Sequence, residues 1–316
     1  MSTKTATRKG LVVGLSALML LAAACGDDDD GGTEAGGSVE PSICVGGEFS
    51  TRPDGLPGLQ EAYGFEFPAD QITALDEDSL VYNEVDQGNC TFGSIFATDG
   101  RVGALGLTVL EDDEGFFPPY NGSLNVRTEV LDEHPEIEEL FTPIAEQLDD
   151  ATMVDLNAQV DVEGEEPEDV ARAWLDQADV PEVDLSGVSL TVGSKEFTEQ
   201  LILGHITRLA LEDAGADVSD QTGLVGSTAS REALTSGEID LYWEYLGTGW
   251  ITYLENTEAI PDPQEQYEAV RDADAENGIT WLPPAPFNNT YAIATTNEVA
   301  EEHGITQISD IAELIG

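Results

Sequence analysis

Hydrophobic residues along this chain fall into two alternating patterns, short β-branched runs and longer amphipathic segments. The short runs predict strands. The six clearest cover residues 43–45, 90–95, 105–110, 190–192, 239–243 and 291–294. Strands that alternate with helices are typical of an α/β fold with parallel sheets, whose ligands bind beyond the carboxyl ends of the strands.

Apolar residues at helical spacing predict the helices between these strands. Thr198 is expected to cap a helix whose apolar side chains recur from residue 201 to residue 209. A further helix is expected to open at Pro135 and to end or kink at Pro143. Residues 181–187 (PEVDLSG) look like a joint, because they follow a helical segment and lead into a new strand.

The amino terminus has the pattern of an export signal. Three basic residues precede an apolar stretch over 11–22, which is too short to span a membrane comfortably. It ends in LAAAC, which resembles a bacterial lipoprotein cleavage site, so 1–24 is predicted to be the signal peptide. Cys25 is then expected to carry the lipid that anchors the protein to the outer face of the cytoplasmic membrane. A secreted protein cut after Ala24 is the alternative.

Residues 25–41 are glycine-rich and acidic with almost nothing apolar, so they are expected to form a disordered tether. No later segment reaches 18 apolar residues. The rest of the chain, about 275 residues, suits one large domain or two lobes.

The charge balance is strongly acidic. The chain has 64 acidic residues against 11 basic ones, three of which lie in the leader. Nucleic acid is excluded as a partner, because phosphate binding needs a basic face. Beyond the leader the sequence keeps one lysine, Lys195, on a predicted strand-to-helix turn where amide N–H groups also favour negative charge. Lys195 is therefore a candidate anion contact, with a solvated surface lysine as the alternative.

Cys44 and Cys90 are the cysteines that follow Cys25. An even pair in an exported chain favours a disulfide over a metal site, and two buried free cysteines remain the alternative. The three histidines are far apart, and neither a P-loop, an HExxH nor a GxSxG motif occurs. No metal, cofactor or catalytic residue is predicted.

Long motifs resemble a known family. VGSKEFTEQLILGHI, GEIDLYWEYLGTGW and PPAPFNNTYAIA resemble the first half of substrate-binding proteins of glycine betaine/choline/carnitine ABC transporters. EFSTRPDGLPGLQEAYGFEF, FATDGRVGALGLTVLEDDEGFFPPY and LNAQVDVEGEEPEDVARAWL resemble the second half. The resemblance covers residues 43–316, and the two halves stand in the opposite order to that of the family.

The resemblance implies a circularly permuted, two-lobe periplasmic-binding-protein fold of type II. One lobe is expected over 120–285, and the other over 42–119 together with 286–316. Residues 181–187 would join the family's own ends, since domain termini often lie close together. The alternative is two half-domains that complete each other between molecules. The family also implies that the strands that carry Cys44 and Cys90 are parallel neighbours.

The resemblance implies a site for a quaternary ammonium ion, which aromatic faces attract. Four rings match the family's aromatic box: Tyr245, Tyr291, Tyr120 and Phe96. Phe96 departs from the usual tyrosine, since it keeps the ring and lacks the phenolic hydroxyl. Core packing is the alternative for each ring.

The carboxylate end of a betaine would meet Lys195, Arg52 and the hydroxyl of Thr248, with Asn289 nearby where some members carry Asp. The expected function is capture of glycine betaine or a related carboxylated quaternary amine by a monomeric, lipid-anchored receptor that delivers it to an ABC permease. Choline is disfavoured on the expectation that it would leave Lys195 and Arg52 as unpaired, partly buried charges. A choline or carnitine receptor and a non-transporting sensor domain are the alternatives.

Overall fold

The computed structural model of the protein describes residues 41–256 and 259–315. The strands are β1 (Ile43–Gly46), β2 (Ile72–Leu75), β3 (Phe92–Phe96), β4 (Leu107–Val109), β5 (Gly122–Arg127), β6 (Ser189–Lys195), β7 (Asp217–Leu224), β8 (Leu241–Tyr245), β9 (Ile279–Trp281) and β10 (Tyr291–Thr296). The helices are α1 (Leu56–Tyr63), α2 (Ser79–Asp86), α3 (Arg101–Leu105), α4 (Thr128–Glu133), α5 (Glu136–Ala145), α6 (Asp150–Asp161), α7 (Pro167–Leu175), α8 (Thr198–Asp213), α9 (Ser227–Ser236), α10 (Leu246–Thr248), α11 (Pro263–Asp274), α12 (Asn297–His303) and α13 (Ile311–Ile315).

These strands form two five-stranded sheets of identical arrangement. Sheet A has the order β2-β1-β3-β10-β4, and sheet B has the order β7-β6-β8-β5-β9. In sheet A the fourth strand, β10, runs antiparallel to both neighbours, and in sheet B β5 does the same. The predicted two-lobe α/β fold is confirmed.

The expectation of parallel sheets holds for three strands of each sheet, and the antiparallel strands β10 and β5 depart from it. Each antiparallel strand follows, along the chain, an edge strand of the other sheet: β5 comes after β4, and β10 comes after β9. No helix of the described chain lies in either connection. A strand that arrives from the other sheet does not need the helical crossover that joins parallel neighbours, so it is able to pair antiparallel.

The predicted elements match the structure in part. All six predicted strands overlap observed ones, and β2, β5, β7 and β9 were not predicted. The capping prediction for Thr198 is wrong: Phe197 occupies the N-cap position without a side-chain cap, and the Thr198 hydroxyl donates to Asp161 at 2.6 Å. Pro135 does precede helix α5, which continues past Pro143 to Ala145.

The interior of each half is apolar and tightly closed. In sheet B, helix α8 buries Ile202 and Ile206, and the strand residues Leu241 and Trp243 belong to the same core cluster. In sheet A, β1 pairs in parallel with β3, and a disulfide joins Cys44 of β1 to Cys90, two residues before β3, with Cα atoms 5.7 Å apart. Core packing in sheet B and the disulfide in sheet A therefore hold in place the strands that carry the candidate site.

Candidate functional site

The two sheets bring aromatic and basic side chains to corresponding edges. Phe96, Lys195 and Tyr245 are the last residues of β3, β6 and β8. Tyr291 is the first residue of antiparallel β10 and pairs with Phe96 across the ladder, so the amino end of β10 lies where β3 ends. Open α/β sheets bind ligands at this carboxyl edge.

A cavity of about 240 Å³ lies at this edge. All eight residues predicted to bind the ligand line it: Arg52, Phe96, Tyr120, Lys195, Tyr245, Thr248, Asn289 and Tyr291. They come from segments that belong to both sheets, and a single chain supplies all of them. Their contact with a ligand stays a prediction.

The rings form one connected aromatic group. The ring centroid of Tyr291 lies 5.1 Å from that of Phe96 and 5.5 Å from that of Tyr120. Phe197, which the sequence reasoning did not single out, stacks on Phe96 at 5.5 Å and on Tyr245 at 6.2 Å. Phe197 thus continues the aromatic wall from sheet A to sheet B.

Tyr120 is held by close packing and by a charged acceptor. A Cβ atom at Gly247 would lie 2.6 Å from the Tyr120 ring, so glycine is required for the ring to pack there. The Tyr120 hydroxyl donates to a carboxylate oxygen of Asp54. Burial, opposed by the nearby Arg52, raises the pKa of Tyr120, which keeps the phenol protonated.

Arg52 is buried and already has an acidic partner. Its Nε donates to Asp54 Oδ1 at 2.8 Å, and its Nη2 donates to Asp54 Oδ2 at 2.5 Å. Its Nη1 reaches Glu48 at 3.4 Å and the hydroxyl oxygen of Thr248 at 3.5 Å. This fork-to-carboxylate pair fixes the plane of the guanidinium in the cavity wall.

Lys195 is likewise paired. Its Nζ donates to Glu244 Oε1 at 2.7 Å and lies 5.3 Å from the centre of the Tyr245 ring. Glu244 is completely buried and also accepts from the hydroxyls of Tyr242 and Tyr253. The ammonium is therefore held at the cavity by a satisfied buried carboxylate.

These pairings overturn one expectation from the sequence. Choline was disfavoured because it was expected to leave Lys195 and Arg52 unpaired, and that argument is wrong. Each cation has a buried carboxylate partner within the protein, Glu244 and Asp54 respectively. Charge pairing at these two residues consequently does not separate choline from a betaine.

A second carboxylate, Glu199, lies buried beside the aromatic wall. It accepts from Thr98 Oγ1 at 2.5 Å, from Tyr245 Oη at 2.7 Å, from Asn289 Nδ2 at 2.7 Å and from Asn157 Nδ2 at 3.2 Å. Burial raises the pKa of Glu199, and these hydrogen bonds oppose the rise. Glu199 thus ties residues of both sheets together without a basic partner of its own in the described structure.

A larger cavity of about 550 Å³ adjoins the first. The two share seven lining residues: Asp76, Asp78, Phe96, Glu196, Phe197, Val225 and Asn289. Burial, with Glu48 and Glu196 nearby, raises the pKa of Asp78 to about 6. This side of the cleft is therefore strongly acidic.

Sequence reasoning missed the residues that support the predicted ones. Asp54 stands two positions after Arg52, and Glu244 stands next to Tyr245, so both had a signal in their nearness to a predicted site residue. Phe197 and Glu199 follow Lys195 in the same motif. Their partners could not be read from the sequence, because Glu244 pairs with Lys195 and Glu199 accepts from Asn289 only in the folded chain.

The described residues contain no group of three or more His, Cys, Asp or Glu side chains placed to hold a metal ion. Within the same part of the chain, no helix is long and apolar enough to cross a membrane. The predicted lipid-bearing Cys25 lies outside the described residues.

Comparison with known proteins gives relatives in one family. The glycine-betaine-binding protein of Pseudomonas aeruginosa is 45% identical over 127 residues, which are 40% of this chain and 40% of that protein. The glycine betaine-binding protein YehZ of Escherichia coli is 40% identical over 126 residues, 39% of this chain and 41% of that protein. The solved structure of apo YehZ has a TM-score of 0.32 at 32% identity, over 43% of this chain and 50% of that one. The chain thus spans about two fifths of the length of the curated relatives that it matches.

The family match is broader than these pairwise ones. The substrate binding domain of the ABC-type glycine betaine transport system matches residues 32–177 and 188–315. Such domains bind their substrates and are not enzymes. Because the match covers most of the chain and both sheets, this protein belongs to the family of substrate-binding domains of ABC-type glycine betaine transport systems.

Proposed function

We propose that this chain captures glycine betaine or a related carboxylated quaternary ammonium compound and delivers it to an ABC importer. The observation that carries the proposal is the composition of the 240 Å³ cavity. Three tyrosines and two phenylalanines line it together with one arginine and one lysine. Aromatic faces and fixed cations in so small a space suit a compact zwitterion.

The rings provide for the cationic end of the ligand. A quaternary ammonium group has no N–H to donate and no proton to lose, so it is recognised through the electron-rich faces of aromatic rings, each contributing about 0.5–2 kcal/mol. Tyr120, Tyr245 and Tyr291 are buried and hold their rings at the cavity. Phe96 supplies a ring without a hydroxyl, which suits a group that offers no hydrogen bond.

The basic side provides for the carboxylate end. The Lys195 ammonium has three N–H donors, of which one is directed to Glu244. Arg52 is oriented by Asp54, and Thr248 adds a hydroxyl. A carboxylate placed here would receive charge-assisted hydrogen bonds from groups that are already fixed in position.

The site is built from both halves of the fold. Arg52 follows β1 of sheet A and approaches Thr248, which follows β8 of sheet B. Glu48, which follows β1 of sheet A, accepts hydrogen bonds from the backbone N–H and the hydroxyl of Ser227, which follows β7 of sheet B. A ligand that touches both halves would stabilise the closed arrangement, which is the state presented to a permease.

Two alternatives share this site. A choline or carnitine receptor would use the same rings, and a sensor domain would bind the same ligand without transport. A ligand carboxylate would accept hydrogen bonds from the remaining N–H groups of Lys195 and from the Thr248 hydroxyl, and choline has no carboxylate to accept them.

The setting of the receptor is part of the proposal. Members of the family are extracytoplasmic binding proteins. The charged and apolar residues that precede Cys25 support a signal peptide and a lipid anchor. The partners would be the membrane, through the lipid, and a permease subunit supplied by another chain.

The order of the halves supports a circular permutation. Sheets A and B have the same strand arrangement, but the antiparallel strand precedes the others of its sheet in B and follows them in A. The family match breaks between residues 177 and 188. Residues 181–187 lie in this gap and join α7 to β6. A colinear alignment follows only one half of a permuted chain, which agrees with pairwise matches over about two fifths of it.

The test of this proposal separates the two ends of the ligand. Thr248→Val removes one hydroxyl from the cavity while keeping a similar shape. The affinity for glycine betaine is expected to fall about three- to tenfold, because its carboxylate loses a hydrogen bond. The affinity for choline, which has no carboxylate, is expected to stay within about twofold of wild type. Thr295→Val is the matched control, since Thr295 is buried in β10 and donates to Thr91 outside the cavity. Equal loss for both ligands would contradict the carboxylate assignment.

A further inference from the structure

Glu48 is a carboxylate of the 240 Å³ cavity that the sequence reasoning missed. It follows β1 and lines the cavity together with Arg52 and Lys195. Its side chain is 40% exposed, so its charge is not sealed inside the protein. Three other carboxylates line this cavity, and none of them forms an ion pair with Arg52 or Lys195 in the described structure: Asp76, Asp78 and Glu196. Among the carboxylates of the cavity wall, Glu48 is therefore the one that bonds a cation of the site.

Ser227 fixes the position of this carboxylate. Glu48 Oε1 accepts from the backbone N–H of Ser227 at 2.8 Å, and Glu48 Oε2 accepts from the Ser227 hydroxyl at 2.9 Å. Burial raises the pKa of Glu48, but Lys195, the Ser227 hydrogen bonds and Arg52 outweigh burial and lower the pKa below its ordinary value. Glu48 is consequently ionised at neutral pH and held in one place.

Glu48 also reverses the charge balance at the basic end of the cavity. Arg52 Nη1 donates to Glu48 Oε2 at 3.4 Å, while Nε and Nη2 donate to Asp54. Lys195 pairs with Glu244. Two cations thus stand with three carboxylates, which leaves one negative charge in excess among these five residues.

This arrangement sets a condition on the ligand. Asp54 takes two of the three nitrogens of Arg52, so a ligand carboxylate meets the guanidinium at Nη1, beside Glu48 Oε2. Like charges at such close range repel each other in a partly desolvated cavity. A ligand of the same shape without the negative charge escapes this repulsion.

We propose that Glu48 is a specificity-determining residue that weakens the binding of carboxylated quaternary amines relative to those without a negative charge. The proposal rests on the proposed function, in which the ligand carboxylate lies at Lys195, Arg52 and Thr248. Lys195 and Thr248 attract the carboxylate, and Glu48 limits the gain. The charge of one side chain then sets where the site stands between betaines and cationic quaternary amines.

A cycle that changes one charge on the protein and one on the ligand tests this assignment. The ligands are glycine betaine and glycine betaine amide, in which CONH₂ replaces the carboxylate at nearly the same size. Glu48→Gln removes the charge and keeps an oxygen and an N–H group to bond Ser227. Calorimetric titration gives the affinity ratio of the two ligands. The ratio is expected to shift at least about tenfold toward glycine betaine in Glu48→Gln.

Three further variants separate the charge from the contact with Ser227. Glu48→Ala removes both, so it is expected to shift the ratio in the same direction as Glu48→Gln. Ser227→Ala removes the hydroxyl contact and keeps the charge, so both ligands are expected to weaken by similar factors. Asp113→Asn is the matched control, because Asp113 accepts from the N–H and the hydroxyl of Ser309 in the same way and lines neither cavity. It is expected to keep the wild-type ratio.

The outcomes distinguish this inference from the proposed function. The ratio compares two ligands in one preparation, so a lower folded fraction does not alter it. Glycine betaine binding with an unchanged ratio in both Glu48 variants would overturn the role of Glu48 and leave the proposed function in place. A shift toward the amide, or an equal shift in Ser227→Ala, would also overturn it. If neither ligand binds the wild-type protein, both proposals fail. Binding of the amide by the wild type, with glycine betaine bound only by Glu48→Gln, would support the role of Glu48 and contradict glycine betaine as the substrate.

Discussion

Replacement of Tyr245 separates the contribution of its ring from that of its hydroxyl. The hydroxyl donates to Glu199 at 2.7 Å, and the ring lines the 240 Å³ cavity. Tyr245→Phe keeps the ring and loses one hydrogen bond to a charged acceptor, which lowers the free energy of unfolding by about 1.5–3 kcal/mol. Glycine betaine affinity is expected to stay within about threefold of wild type.

Tyr245→Ala also removes the ring. The lost cation–π attraction, about 0.5–2 kcal/mol, adds to the loss of the packed wall, so affinity is expected to fall more than about tenfold. Tyr291→Ala is expected to do the same, because its ring contacts those of Phe96 and Tyr120. Calorimetric titration measures affinity, and urea unfolding measures stability.

Tyr63→Ala is the matched control for these two variants. Tyr63 is a buried aromatic residue of α1 that lies outside the cavity. Its replacement is expected to lower stability and to leave the affinity of the folded protein unchanged. Unchanged affinity in both Tyr245→Ala and Tyr291→Ala would refute the aromatic site. Equal losses of affinity in Tyr245→Phe and Tyr245→Ala would show that the hydroxyl, and not the ring, dominates.

Three further predictions follow from other parts of the molecule. The double variant Cys44→Ala/Cys90→Ala is expected to lower the free energy of unfolding by up to about 4 kcal/mol, which is the loop entropy for a separation of 46 residues. An intact mass of the oxidised wild-type protein that shows two free thiols would contradict the disulfide. For Asp78, the native pKa of about 6 exceeds the ordinary 3.8, owing to burial and then to Glu48 and Glu196, opposed by cations nearby. The native state then holds a proton that the unfolded chain releases, so the contribution of Asp78 to the free energy of unfolding falls as pH rises from about 4 to above 6. The stability advantage of Asp78→Asn over wild type in urea unfolding should grow over that window, and a constant difference would contradict the shift. Light scattering on the protein without its lipid should show a monomer that binds glycine betaine, whereas an obligate dimer that loses binding on dissociation would overturn the single-chain site.

The predicted strands are the segments rich in β-branched and other apolar residues. Strand β8 (Leu241–Tyr245) is buried throughout, and the apolar and aromatic residues of its sequence LYWEY indicate a buried strand. Strand β7 (Asp217–Leu224) has the sequence DVSDQTGL and lies at the edge of sheet B, exposed or half-buried along its length. An edge strand with so little apolar surface has no period-two pattern to detect.

Strand β5 was missed for a different reason. Its residues Ser123 and Asn125 are completely buried in the middle of sheet B, where a sequence pattern predicts apolar side chains. The Ser123 hydroxyl donates to the carbonyl of Leu282, and the amide of Asn125 donates to the carbonyl of Ser123. The acceptor of the Ser123 hydroxyl lies 159 positions along the chain, and a local sequence does not encode so distant a partner for a buried polar residue.

The candidate site could be assembled from motif resemblance, but its electrostatics could not. The sequence predicts that Arg52 and Lys195 contact the carboxylate of the ligand. In the structure, each cation already forms an ion pair within the protein, Arg52 with Asp54 and Lys195 with Glu244. Lys195 and Glu244 lie 49 positions apart and meet only because β6 and β8 are neighbours. Pairing of this kind depends on sheet order, which the sequence does not state directly.

A calorimetric panel of glycine betaine, proline betaine, carnitine, choline and proline tests the central claim most directly. Glycine betaine is expected to bind in the micromolar range, near about −8 kcal/mol. Proline is expected not to bind, because it lacks the quaternary ammonium group that the rings recognise. Proline binding as tight as that of glycine betaine, or no binding by any quaternary amine of the panel, would contradict the account.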